Sequence, residues 1–102
     1  MRIISHKKLI EFWEKHPDTE NALENFHKII NKTNFEHFAQ LRKTFPSADQ
    51  VGKCTIFNIG GNKLRVITAI HYNSHIIYIR HVLTHADYDK DKWKIECDSR
   101  PH

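Results

Sequence analysis

The spacing of apolar positions changes once along the chain. Arg2–Ser5 reads as a short strand carrying Ile3 and Ile4. Ser5 is placed to cap a helix that starts at His6, carries Leu9, Ile10, Phe12 and Trp13, and stops near Pro17. Asp18 or Thr19 is expected to cap a second helix. There Ala22, Leu23, Phe26, Ile29 and Ile30 recur on one face of a 3.6-residue period. Phe35–Phe45 predicts a third short helix, ended before Pro46. From Lys53 onward the period is two. Lys53–Ile59 and Lys63–Tyr72 predict strands joined through Gly60-Gly61-Asn62, and Ile76–Leu83 predicts another after Asn73-Ser74-His75. Thr84 is placed to cap a last helix over Asp87–Trp93, with a frayed tail after Ile95. The predicted class is α+β: an N-terminal strand and two to three helices packed on one face of an antiparallel meander, with a short C-terminal helix. The other sheet face is expected to stay open to solvent or a partner.

Strand parity turns this outline into a surface. A two-residue loop at Gly61-Asn62 sets Asn58 opposite Arg65. A two-residue loop at Asn73-Ser74 sets Ile67 opposite Arg80 and Arg65 opposite Val82. Asn58, Arg65 and Arg80 then share one face. Burying two guanidinium groups without acids is costly, so this patch is expected to face solvent or a ligand. The competing reading pairs each arginine with a carboxylate of the last helix, Asp87 or Asp91.

At 102 residues the chain is expected to form one domain, residues 1–102. It contains no run approaching the roughly 18 apolar residues of a membrane span, and Met1–Ser5, followed at once by His6-Lys7-Lys8, is too short to read as a signal peptide. A cytoplasmic protein with no membrane partner is therefore expected. The two cysteines, Cys54 and Cys97, allow at most one disulfide; without a secretion signal they are expected to be reduced thiols. The net charge of +4 is modest, but its distribution is uneven. No acid lies between Asp49 and Asp87, a stretch that holds Lys53, Lys63, Arg65 and Arg80 with His71, His75, His81 and His85. A one-sided basic region suits an anionic partner such as nucleic acid, although strands are poor in Asp and Glu in any case.

Phe57-Asn58-Ile59-Gly60-Gly61-Asn62-Lys63-Leu64-Arg65-Val66 resembles the central hairpin of the HigB toxins of bacterial toxin–antitoxin systems. So does Tyr78-Ile79-Arg80-His81-Val82-Leu83-Thr84-His85-Ala86-Asp87-Tyr88-Asp89, and upstream Leu41-Arg42-Lys43-Thr44-Phe45-Pro46-Ser47-Ala48-Asp49 follows the same family. The resemblance runs nearly end to end. It implies a RelE-like α+β ribonuclease that cuts messenger RNA on the ribosome. It also implies a helix-turn-helix, HigA-like antitoxin as partner, with DNA contacted only indirectly through that complex. The implied chemistry is attack of the ribose 2′-OH on the adjacent phosphorus, which needs a proton acceptor, a proton donor and cations, but no metal or cofactor. Arg65 and Arg80 are then candidates for phosphate and transition-state charge, and His85 for general acid or base. Tyr88 is a candidate for stacking or proton donation. Asn58 would orient a base or phosphate, and Lys53 and Lys63 would be peripheral RNA contacts.

Other readings compete. The same basic face would serve a non-catalytic RNA- or ribosome-binding module. His81 and His85, with Asp87 and Asp89 near, have the residue types of a metal site, but a strand position and a helix start do not share one face. By alternation His81 points away from Arg80 and is expected to pack in the core. Cys54, alternating with Ile56, reads as a buried structural cysteine rather than a nucleophile.

Overall fold

β-branched and aromatic residues at alternating positions build five strands, and the amphipathic segments build helices around them. The computed structural model describes residues 1–61 and 63–97. In chain order these are β1 (Arg2–Ile4), α1 (His6–Lys15), a 3₁₀ turn (Pro17–Thr19), α2 (Glu20–Lys32), α3 (Phe38–Thr44), β2 (Asp49–Val51), β3 (Cys54–Ile59), β4 (Leu64–His71), β5 (Ile76–Thr84), α4 (His85–Asp89) and α5 (Lys94–Cys97). The sheet order is β1-β5-β4-β3-β2. The meander is antiparallel as expected, whereas β1 adds to β5 in parallel, so the sheet is mixed. Strand β2 was not anticipated; three residues of Asp-Gln-Val carry too little pattern to register. Among the described residues no helix is long and apolar enough to cross a membrane.

Leu9 of α1, Leu23, Phe26 and Ile30 of α2, and Leu41 of α3 pack on Phe57, Ile59, Leu64, Val66, Ile77 and Ile79 of the sheet. This is the core the helical periods anticipate. Two expected caps are absent. Ser5 takes a left-handed conformation (φ 70°), so its backbone carbonyl, not its hydroxyl, receives Lys8 N at 3.0 Å. Thr19 donates its hydroxyl backwards to His16 O at 2.7 Å instead of accepting from the first turn of α2. Thr84 does cap α4, its hydroxyl accepting from Asp87 N at 3.2 Å.

The second face of the sheet is not left open. Cys54, Ile56 and Ile67 are covered there by Trp93 and Cys97, with Val51, Leu83 and Tyr88 packed around them. The last helical region is two pieces, broken at Asp91, whose φ of 61° ends any α-helix. Cys54 and Cys97 form a disulfide with Cα atoms 5.2 Å apart, so the expected pair of free thiols is corrected. The same bond anchors the chain beyond Ile95 as far as Cys97, where fraying was expected; the rest of that tail, like Asn62 of the hairpin loop, lies outside the described residues.

Candidate active site

Hairpin chemistry places the first residues. Gly60 and Gly61 adopt φ of 65° and 62°, values L-residues rarely tolerate. A Cβ on Gly60 would meet only ordinary contacts at 3.7–3.9 Å, so the demand is conformational, not spatial. This tight turn fixes the β3–β4 register, and Asn58 stands opposite Arg65 as alternation requires.

The β4–β5 register departs from expectation. From the turn it runs as anticipated through His71↔Ile76 to Thr68↔Ile79. Then one residue is inserted at Arg80, so that Ile67 faces His81 and Arg65 faces Leu83, not Arg80 and Val82. The cause lies in the core. Ile77, Ile79 and Val82 all pack on the helical side, and steps of two and then three cannot be met by strict alternation. The bulge absorbs the extra residue. Lys8 of α1 donates to the Arg80 carbonyl at 2.8 Å, holding the bulged backbone from outside the ladder.

Arg80 is exposed at this bulge, its guanidinium carbon 5.9 Å from the centre of the Tyr78 ring. Tyr78 pairs with Ala69, on the face that alternation also gives Ile67 and Arg65, so both arginines belong to one side of the sheet. They are not adjacent: Leu83, the partner of Arg65, is three residues beyond Arg80, roughly 10 Å along the strand. Arg65 itself is buried, at 9% exposure, where a group facing solvent or a ligand was expected. Its Nη1 donates to Leu64 O at 3.3 Å, and its guanidinium carbon lies 5.1 Å from the centre of the Tyr88 ring. On α4 and just beyond it, Asp87 lies 3.4 Å from Lys90 and Asp91 lies 3.3 Å from Lys94.

Tyr88 is held from below. Its ring stacks on Trp93 with centres 4.8 Å apart and planes 13° from parallel, and Trp93 Nε1 donates to Tyr88 O at 2.9 Å. Burial pushes the Tyr88 hydroxyl above its ordinary value; the charge of Arg65 opposes that rise and Asp49 reinforces it. His85 opens α4, one turn before Tyr88, and is exposed. Its Nδ1 lies 3.0 Å from Asp89 Oδ2, a carboxylate that orients the ring.

The remaining candidates scatter. Lys63 sits in the turn of the hairpin and its ammonium is 3.9 Å from Asp18, on the helical side. Lys53 precedes β3 at the opposite end from Asn58, five residues away or roughly 16 Å. His81 is not a core residue, as had been expected. The bulge turns it toward α5, where its Nε2 meets Glu96 Oε2 at 2.8 Å. His81 and His85 thus turn to different carboxylates. Among the described residues no group of three or more His, Cys, Asp or Glu is arranged to hold a metal. Cys54 is buried and disulfide-bonded, so it offers no thiol.

Sequence reasoning missed Trp93, Leu83 and Glu96 as members of this region. The available signal was the even cysteine count, since a Cys54–Cys97 bond necessarily folds the segment after α4 back onto β3.

Residues 19–91 match the family of HigB toxins, described as the RelE-like toxic component of a toxin–antitoxin system. The chain is similar to the "mRNA interferase HigB" of Escherichia coli O6:H1, at 33% identity over 93 residues, covering 88% of this chain and 90% of that protein. It is 37% identical over 92 residues to the "mRNA interferase toxin HigB" of Escherichia coli strain K12 and to the "mRNA interferase HigB" of Shigella flexneri, covering 87% of this chain and 88% of each.

Proposed function

Because the chain belongs to the HigB family of RelE-like toxins, we propose that it is the toxin of a toxin–antitoxin pair, an endoribonuclease that cleaves messenger RNA. The observation that carries the reading is the contact of Arg65, at the start of β4 and opposite Asn58, with the ring of Tyr88 in α4, the helix that His85 opens one turn earlier. In the reaction the ribose O2′ bonds to phosphorus, its proton passes to a base, and the bond from phosphorus to O5′ breaks as that oxygen gains a proton. Arg65 supplies positive charge to the phosphorane oxygens from a site where low exposure strengthens the interaction. His85, oriented by Asp89, exchanges a proton, and Tyr88, whose hydroxyl burial pushes further above its ordinary value, donates a hydrogen bond. Arg80 binds a neighbouring phosphate and Asn58 a base edge or phosphate. Lys63 and Lys53 are outlying RNA contacts at the two ends of the hairpin.

The substrate in this reading is messenger RNA engaged by a ribosome in the cytoplasm. The neutralising partner is a helix-turn-helix antitoxin of the HigA kind, through which alone the complex meets DNA. Primer extension on messages from cells expressing the wild type without antitoxin tests the enzyme. Defined new 5′ ends that vanish with the Arg65→Ala variant are expected. Growth arrest without new ends would favour a non-catalytic ribosome-binding module and overturn the reading.

A further inference from the structure

Beside the candidate active site, under the distal half of β5, lies a cleft of about 390 Å³. That is within the range of small-molecule sites. Leu83 and Trp93 form its apolar wall, and Lys90 and Lys92 stand on its rim. Glu96 reaches into it from α5. Its Oε2 meets His81 Nε2 at 2.8 Å, while about half of the Glu96 side chain stays exposed. A carboxylate has about four acceptor positions, and this contact occupies one of them.

The cleft is continuous with the proposed catalytic cluster through three contacts. Leu83 is the ladder partner of Arg65, Trp93 stacks on Tyr88, and Asp87 on the cleft wall is two residues from His85. A chain whose phosphate lies at Arg65 therefore has this cleft within one nucleotide's reach. An apolar slot with lysines on its rim suits a planar base whose phosphate remains outside. An ionised carboxylate accepts and cannot donate, so it selects a base edge with adjacent donors. Among the four RNA bases only guanine presents two neighbouring N–H donors, N1–H and the 2-amino group, in the parallel arrangement a carboxylate takes bidentately. Adenine and cytosine set a ring acceptor beside their amino group, and uracil flanks its single N–H with carbonyls.

We infer that this cleft is a guanine subsite, with Glu96 reading the base and His81 positioning Glu96. The inference rests on the ribonuclease reading for its biological meaning, but not for its test. The probe is the indole N–H resonance of Trp93, assigned as the one retained in the Trp13→Phe protein, during titration of the full chain with GMP, IMP and AMP. IMP keeps N1–H and lacks the 2-amino group. Saturable shifts are expected with GMP, at about tenfold tighter affinity than with IMP or AMP. In Glu96→Gln, an exposed position where folding is maintained, the GMP advantage falls to the level of IMP. Equal affinities across the three nucleotides, no saturable shift at millimolar concentration, or an unchanged preference in Glu96→Gln would each overturn the subsite. RNA cleavage is scored separately. A flat nucleotide series with intact cleavage removes only the subsite. A selective series without cleavage leaves a guanine site on a protein that is not a nuclease.

Discussion

The Arg65 guanidinium lies 5.1 Å from the centre of the Tyr88 ring, so a β4 cation and an α4 aromatic act as one unit. Trp93 backs that ring and the disulfide at Cys97 follows four residues later, so the charge rests on a packed stack. Replacing Arg65 by Ala should lower cleavage roughly 10²–10³-fold if the group stabilises transition-state charge. Arg65→Lys should recover only part of that loss, because an ammonium lacks the planar fork. Single-turnover cleavage alongside a thermal melt separates lost chemistry from lost folding, since Arg65 is buried.

Arg80 should behave differently. It is exposed on a bulge and set apart from Arg65, so its contribution falls on binding. Arg80→Ala should weaken RNA affinity, and the slope of log affinity against log salt should shrink by about 0.7, the share of one phosphate contact on a single strand. Filter binding across a salt series measures it. An unchanged slope would remove Arg80 from the RNA path.

The disulfide closes a separation of 43 residues. Loop-closure entropy for such a link is worth about 4 kcal/mol at room temperature. Reduction, or the Cys54→Ala variant in place of the bond, should lower the urea-unfolding free energy by about that amount. Because Cys97 anchors α5, the same reduction should expose Trp93 and red-shift its emission. A reducing cytoplasm would impose this change on the protein, so cleavage is best compared in both redox states.

His27 stacks on His6 with ring centres 3.9 Å apart, and Trp13, Glu24 and Lys28 surround the pair. Burial first, and then the neighbouring His6, hold the His27 imidazole below its ordinary value of 6.5. Between the folded and unfolded values the unfolded chain binds more protons, so stability rises with pH there. The contribution is complete above 6.5 and is lost as pH falls through the folded value. Thermal melts from pH 7.5 to pH 5 (roughly the range over which imidazole titrates) should show a decline that His27→Gln reduces.

His85→Ala should cost roughly 10²–10⁴ in cleavage rate if the imidazole moves the proton. An unchanged single-turnover rate in His85→Ala would transfer that role to another group.

Much of this was legible in the residues. The switch from helical to alternating spacing separates the α and β halves. The paired glycines set Asn58 opposite Arg65, and Thr84 caps α4 as its hydroxyl suggests. Each depends on neighbours within a few positions, where local sterics and turn chemistry leave few choices.

What the chain encodes in its own order is therefore the period of each segment, the hairpin turns and the residue types brought to the reaction. The packed molecule decided three other matters: the parallel docking of β1 on β5, the joining of Cys54 to Cys97, and the bulge at Arg80 that sends His81 to Glu96. All three answer to distant partners. Ile77, Ile79 and Val82 meet a single helical layer only if the strand gains a residue between them, and that layer exists only once the helices have docked.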